Sequence, residues 1–181
     1  MNGRPSGIVD DPRQHALPKE GAVAGNALLW SFALMLATAS PAFPQQAPPS
    51  SEMAKHVEAL VNAAAVLIDT EGEAAFADFR KKDSVWFHGD TYLFVYDLKA
   101  NVLLNPAFPQ REGTNVNGQK DADGKPFHNA MIQVAETKGS GWVDYMFPKP
   151  GQTAPSQKWT YVKKVTVDGV PGLVASGFYP E

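Results

Sequence analysis

An apolar stripe with helical spacing begins shortly after residue 51 and is the most regular pattern in the sequence. Apolar residues recur every three or four positions from Met53 to Ile68. This spacing places them on one face of an α-helix, and Ser50 or Ser51 supplies a hydroxyl for its N-cap. The pattern therefore predicts a helix over residues 52–69 whose apolar face packs against the rest of the domain.

A second, shorter helix is predicted directly after the first. Thr70 and Glu73 have the spacing of a capping box, in which each side chain bonds the backbone of the other residue. The helix would continue through Phe76 and Phe79, and the chain would turn at residues 71–72.

From residue 91 onward the pattern indicates β-strands. Tyr92, Phe94 and Tyr96 fall on one face of the segment 91–98, and the other face is also apolar, which predicts a central strand. Later in the chain, a helix is predicted that starts at Phe127 and has Gly139 at its C-terminal end. The other predicted elements are strands at 102–105, 142–147, 158–167 and 173–179, and a hairpin at Asp168-Gly169 that Pro171-Gly172 would lengthen.

This order of elements predicts the fold class. Two helices, two strands, one helix and three strands are typical of an antiparallel sheet with segregated helices, an α+β domain. The chain has 181 residues, of which 44% are hydrophobic and 19% charged, a balance that fits one globular domain.

The first 51 residues have a different character. Between Gly21 and Ser51 no residue is charged, and the centre, Ala27 to Ala37, is apolar apart from Ser31. A core of this length followed by the small residues of Ala37-Thr38-Ala39 is typical of a cleavable export signal, although the leader before it has no net charge. An uncleaved membrane anchor is the alternative. The predicted division is 1–39 signal peptide with a long leader, 40–51 Pro-rich tether and 52–181 folded domain.

Charge and composition exclude several functions. A net charge of −3 provides no basic excess for binding nucleic acid, so no nucleic-acid partner is expected. The absence of cysteine excludes disulfides, cysteine-ligated metals and a cysteine nucleophile. The histidines lack zinc-site spacing, and a calcium loop starting at Asp121 would have Ile132 at its twelfth position. No metal, cofactor or catalytic residue is therefore predicted.

The aromatic strands favour a small-molecule pocket instead. Such pockets have apolar and aromatic walls with a few converging polar groups. Lys158 and Asn105 are expected at strand ends, where their side chains could reach a cavity mouth and bind a carboxylate. The candidate ligand-binding residues read from the strands and the turns before them are Trp86, His88, Tyr92, Phe94, Asn105, Tyr145, Phe147 and Lys158.

Seven short motifs give the second half of the chain a specific resemblance. Their order and spacing over about ninety residues, from Trp86 to Tyr179, resemble those of the bacterial single Cache sensor domains. One departure is that residues 99–101 lack the glycine usual at that hairpin. The motifs are Tyr92-Leu93-Phe94-Val95-Tyr96-Asp97, Asn105-Pro106, Gly113-Thr114-Asn115, Asp121-Ala122-Asp123-Gly124-Lys125, Tyr145-Met146-Phe147-Pro148-Lys149-Pro150, Lys158-Trp159-Thr160-Tyr161-Val162-Lys163 and Gly177-Phe178-Tyr179.

The resemblance implies a PAS-like antiparallel sheet with a long N-terminal helix, located in the periplasm or secreted. It implies a ligand that is a small organic anion, such as a short carboxylate or an amino acid, and it adds Tyr161 to the candidate ligand contacts. Binding would serve signal transduction or chemotaxis through a membrane receptor or histidine kinase. Because the chain ends at Glu181, directly after the last predicted strand, we expect a free-standing Cache protein or an output partner on another polypeptide.

Two other classes of function stay open at the level of sequence. One is a small periplasmic enzyme that uses His88 and Asp90 in an aromatic pocket. The other is an interaction module that docks on a receptor or kinase without any ligand. Binding of small carboxylates without turnover would distinguish the sensor from both.

Overall fold

The computed structural model describes Pro48 and residues 51–180. The predicted signal peptide, and the tether apart from Pro48 and Ser51, lie outside the described residues. Within this range, no helix is both long enough and apolar enough to cross a bilayer.

The long helix α1 spans Glu52–Glu71 and is fixed at its start by Ser51, whose Oγ accepts the Ala54 backbone N–H at 3.1 Å. The stripe predicted from the sequence is its packed face, although Leu67 is only partly buried and Met53 is 47% exposed. The fully or nearly buried positions are Ala54, Val57, Leu60, Val61, Ala64, Ala65 and Ile68.

The predicted capping box is wrong. Thr70 lies inside α1, and Gly72–Ala75 forms a 3₁₀-helix that leads into the short helix α2, Phe76–Phe79. The Glu73 backbone N–H instead donates a hydrogen bond of 3.1 Å to the carboxylate of Asp168. This residue lies 95 positions later in the sequence. The chain turns where predicted, at Gly72, with φ of +60°. A Cβ on Gly72 would lie 1.8 Å from Asp168 Oδ1, so the glycine makes this tertiary cap possible.

Within residues 51–180, seven strands form two sheets, and the larger one determines the architecture. A two-stranded hairpin pairs β1, Phe87–His88, with β2, Thr91–Tyr92. The five-stranded antiparallel sheet has the order β4-β3-β7-β6-β5. Its strands are β3 Phe94–Asp97, β4 Val102–Leu104, β5 Ser140–Pro148, β6 Pro155–Val167 and β7 Val170–Phe178. The α+β prediction is confirmed.

The segment 91–98, predicted as one strand, is divided between the two sheets at Leu93. Tyr92 pairs with Phe87 in the hairpin, and its carbonyl accepts a hydrogen bond from the Ser176 hydroxyl at 2.9 Å rather than from a strand backbone. The part that joins the large sheet, β3, does lie between two other strands, as the sequence predicted.

The turns follow local chemistry. Asp168 and Gly169 both have positive φ and form a two-residue hairpin between β6 and β7, so Pro171-Gly172 does not lengthen the loop. Where the family's glycine is missing, Ala100 adopts φ of +68°. Asp97 supports that turn, because its Oδ1 accepts the backbone N–H groups of Lys99 and Asn101.

Each face of the large sheet carries its own helix. Helix α1 packs on one face, against β6 and β7, and we call this the α1 face. Helix α3, Phe127–Lys138, packs on the opposite face, which we call the α3 face. Because side chains alternate along a strand, each strand contributes to both faces.

Candidate functional site

Lys158 is the most unusual residue of the α3 face. It is the fourth residue of β6 rather than a strand end, and its side chain is 0% exposed. The expectation of a lysine at a strand end and a cavity mouth is therefore wrong. Since burying an ammonium group is unfavourable unless it is compensated, this position requires an explanation.

Aromatic rings surround the Lys158 ammonium. Its Nζ lies 4.2 Å from the ring centroid of Tyr92 and 5.2 Å from that of Tyr179. The centroids of Phe94 and Phe147 are each 5.7 Å away. These distances are those of cation–π contacts, which are strongest where water is excluded. We call Lys158 with these four rings the aromatic cage.

The polar partner of Lys158 is neutral. Its Nζ donates to the Tyr92 hydroxyl at 3.0 Å, and no ion pair joins it to a carboxylate within residues 51–180. Burial lowers the pKa of Lys158 to about 7, with a weaker opposing effect from Asp90. The ammonium would therefore gain from any anion that entered the cage, because an opposite charge favours the protonated form.

Tyr92 and Tyr145 keep their hydroxyl protons. Burial raises the pKa of both phenols well above 10. The Tyr145 hydroxyl lies 3.1 Å from Thr160 Oγ1, and its ring stacks on Phe127 with centroids 4.3 Å apart. Both tyrosines are thus neutral groups that can donate to an oxygen.

A glycine on the neighbouring strand provides space for the lysine. Gly177 of β7 pairs with Thr160 of β6. A Cβ on Gly177 would lie 2.4 Å from the Trp159 carbonyl oxygen and 2.9 Å from Lys158 Cε. The glycine of the Gly-x-Tyr motif therefore has a specific role, because any side chain there would displace the sheet backbone and the lysine.

Asn105 is 2% exposed and contacts the cage through another residue. Its Oδ1 accepts the Phe108 backbone N–H at 3.1 Å. The Phe108 ring in turn lies 6.0 Å from Tyr92 and 5.3 Å from Phe147, measured between centroids. In the structure, Asn105 therefore positions an aromatic wall.

Six of the nine candidate ligand-binding residues are brought together, and three lie elsewhere. Trp86 packs on Phe79, with centroids 5.0 Å apart, as part of the α1 face. Tyr161 follows the strand alternation onto that same face, against Trp142. His88 has a side chain that is 79% exposed, beside Asp83 at 3.9 Å. The residues brought together are Tyr92, Phe94, Asn105, Tyr145, Phe147 and Lys158.

Two polar residues of this region were not selected from the sequence. His128, 1% exposed, is at the start of α3, and Arg111 ends a short 3₁₀-helix, Pro109–Arg111. Arg111 lies over the Phe147 ring with its Cζ 5.7 Å from the centroid. His128 is in the helix predicted from Phe127, but no sequence pattern relates it or Arg111 to the cage. In the structure Arg111 reaches the cage through Phe147, and the His128 ring packs on Tyr96 and Phe127.

An open depression of about 240 Å³ lies beside the cage. Arg111, Phe127 and Phe147 are among its lining residues, and the same two rings belong to the buried aromatic cluster. Phe147 therefore borders both the depression and the cage.

The polar turn at residues 121–125 is structural. Asp121 Oδ1 accepts the backbone N–H groups of Asp123 and Lys125, and its Oδ2 accepts that of Met146. Gly124, with φ of +82°, closes the turn. Across the described part of the chain, no group of three or more His, Asp or Glu residues is arranged to hold a metal ion.

Comparison with known proteins shows which family this chain resembles. A family model for the Cache domain matches residues 78–167. The methyl-accepting chemotaxis protein McpP of Pseudomonas putida is 30% identical over 90 residues, which cover 50% of this chain and 16% of that protein. The chain thus spans about a sixth of the length of this curated relative.

Solved structures agree over most of the domain. The periplasmic sensor domain of a chemotaxis protein is 31% identical, with a TM-score of 0.60, covering 71% of this chain and 95% of that one. A Cache chemosensory domain described for its carboxylic acid recognition is 25% identical, with a TM-score of 0.61, covering 71% of this chain and 93% of that one. The chain belongs to the Cache family of sensor domains.

Proposed function

We propose that this chain is an extracytoplasmic sensor domain that binds a small organic anion in the aromatic cage. One observation carries the proposal: Lys158 is fully buried, and the polar group bonded to its ammonium is a neutral hydroxyl. An anion would supply the missing countercharge, and the rings would enclose its carbon skeleton. The 25%-identical neighbour described for carboxylic acid recognition supports the same class of ligand.

The ligand's carboxylate would bind to Lys158 and to nearby donors. Tyr92 and Tyr145 offer hydroxyl groups that remain protonated at neutral pH. A charge-assisted hydrogen bond of this kind contributes roughly 1.5–3 kcal/mol, or about ten- to a hundredfold in affinity. An amino acid and a short carboxylate both carry the required group.

The relatives support a cellular role. The domain would sit outside the cytoplasm, with residues 1–39 as its export signal, 40–51 as a tether and 52–181 as the sensor. Binding would be passed to a chemoreceptor or histidine kinase, in signal transduction or chemotaxis. We expect binding without turnover, as in a sensor domain. His88, the base of the alternative enzyme, is largely exposed and lies outside the cage.

Calorimetric titration of the full chain with short carboxylates, amino acids and matched amines tests the proposal. We expect a carboxylate to bind, and Lys158→Met to weaken it by about ten- to a hundredfold. Lys164→Met is the matched control, because Lys164 is exposed on the same strand. Equal affinity in wild type and Lys158→Met, or tighter binding of amines than of carboxylates, would contradict the proposal.

A further inference from the structure

Arg111 and His128 form a second polar pair beside the cage. Arg111 donates from one terminal nitrogen to Gln119 Oε1 at 2.9 Å, and the same nitrogen lies 3.1 Å from His128 Nε2. A guanidinium group can only donate, so His128 Nε2 must be the acceptor. Burial and the neighbouring Arg111 charge lower the pKa of His128 to about 3, so the ring is neutral. Its single ring proton is therefore on Nδ1.

Two donors of this pair have no partner. Arg111 Nε and His128 Nδ1 are buried side-chain atoms without a hydrogen bond to any described residue. Leaving a buried donor unsatisfied costs about 1–3 kcal/mol, and more when the group is charged. Nε2 of the imidazole faces Arg111, so Nδ1 faces away from it, and an acceptor that reaches Arg111 Nε from outside the chain satisfies the charged donor.

Arg111 also lacks a countercharge. None of the ion pairs among residues 51–180 involves it, and its contacts on the terminal nitrogen are to a neutral amide and a neutral imidazole. Lys158, in the cage, likewise has a neutral hydrogen-bond partner, the Tyr92 hydroxyl, and no countercharge among these residues. Two cations of this protein therefore face the same aromatic cluster with neutral partners.

Arg111 and Lys158 both lie over the ring of Phe147, which limits how far apart the two cations can be. Lys158 Nζ and Arg111 Cζ each lie 5.7 Å from the centroid of this ring. They are consequently no more than twice that distance apart. This upper limit is short enough for two carboxylates joined by a short carbon chain to hydrogen-bond to both cations.

We propose that the ligand is a short dicarboxylate, with one carboxylate on Lys158 and the second on the Arg111–His128 pair. This inference rests on the proposed function, and it narrows the ligand class of the same site. A dianion compensates both cations, whereas a monocarboxylate leaves one of them without a countercharge. The second carboxylate accepts the unpartnered proton of Arg111 Nε, and His128 Nε2 holds the guanidinium by accepting from its terminal nitrogen.

Titration of the full chain with succinate and with monomethyl succinate tests the proposal, because the two probes have the same carbon chain and differ in one charge. We expect wild type to bind succinate about ten- to a hundredfold more tightly than the ester. Arg111→Gln should abolish most of this preference while keeping affinity for the ester. Arg80→Gln, which removes an Arg paired with Glu112 near the surface, should leave the preference unchanged.

Each outcome decides between the two proposals. Equal affinity of wild type for succinate and its ester overturns the dicarboxylate inference without using any variant. A preference that survives in folded Arg111→Gln overturns it as well. In both cases the proposed function stands, because a carboxylate still binds. The proposed function itself is overturned by different results: wild type that binds neither probe nor any monocarboxylate, tighter binding of amines than of carboxylates, or equal carboxylate affinity in wild type and Lys158→Met.

Discussion

The two faces of the central sheet are built from different chemistry. The α1 face is mostly aliphatic, with Val57, Val61 and Ile68 of the helix packed against the strands, and each of them is at most 1% exposed. The α3 face also has aliphatic residues, but it buries Lys158 and His128 among its aromatic rings. Both faces exclude water, but only the α3 face does so around charged and titratable groups.

The difference separates stability from function. Aliphatic packing on the α1 face stabilises the fold, and polar contacts beside it, such as that of Trp142 Nε1 with Glu58, join α1 to the sheet. Buried polar groups on the α3 face oppose folding, because their charged forms lose hydration. Residues that lower stability in this way are candidates for a functional site. Substitutions on the two faces should therefore have opposite effects on folding and binding.

The largest effect is expected from Ile68→Ala on the α1 face. Removing a fully buried isoleucine side chain leaves a cavity and should lower the free energy of unfolding by about 2–5 kcal/mol. Val66→Ala is the control, because Val66 is on the same helix and 67% exposed. Chemical denaturation measures both. A loss below about 0.5 kcal/mol for Ile68→Ala would mean that α1 is not part of the core.

Lys158→Met on the α3 face should act in the opposite direction. Methionine has a similar length and no charge to desolvate, so unfolding free energy should rise by about 1 kcal/mol or more at pH 6. Denaturation without ligand measures the change, with Lys164→Met as the exposed control. A variant that is clearly less stable than wild type would show that the ammonium holds the sheet together.

The same contrast explains what could be predicted from the sequence. The α1 stripe and the hairpin at Asp168-Gly169 are local patterns, and they predicted the helix and the turn. The capping box failed because its amide is bonded by Asp168, which is distant in sequence. Local patterns cannot show which distant side chain will compete for a backbone group.

The site was only partly predictable for a related reason. Strand alternation and the family resemblance pointed to Tyr92, Tyr145 and Lys158, but the same alternation moves Tyr161 to the other face. Arg111 follows Pro109 in a loop, and its meeting with His128 depends on how that loop folds over α3. No spacing in the sequence encodes this contact.

The pH dependence of Lys158 offers a smaller and more specific test. The pKa of Lys158 falls from 10.5 to about 7 on folding, so between these values the unfolded chain binds more protons than the native one. Stability without ligand should therefore rise with pH in this window, relative to Lys158→Met. Affinity for a carboxylate should fall as the ammonium deprotonates, by up to about tenfold per pH unit. Denaturation and titration at pH 6, 7, 8 and 9 measure both slopes, and parallel profiles for wild type and variant would contradict the assignment.

The smallest effects are expected where sequence and structure disagree about the site. Tyr161→Phe and Trp86→Phe alter residues that pack on the α1 face, so carboxylate affinity should change by less than about twofold, the scatter of surface substitutions. Tyr92→Phe is the matched comparison, because it removes the hydroxyl bonded to Lys158 and should change affinity by clearly more. Calorimetry on the three folded variants decides the matter. A tenfold loss of carboxylate affinity in Tyr161→Phe, with little change in Tyr92→Phe, would mean that the ligand binds on the α1 face. The aromatic cage would then only be packing around a buried lysine.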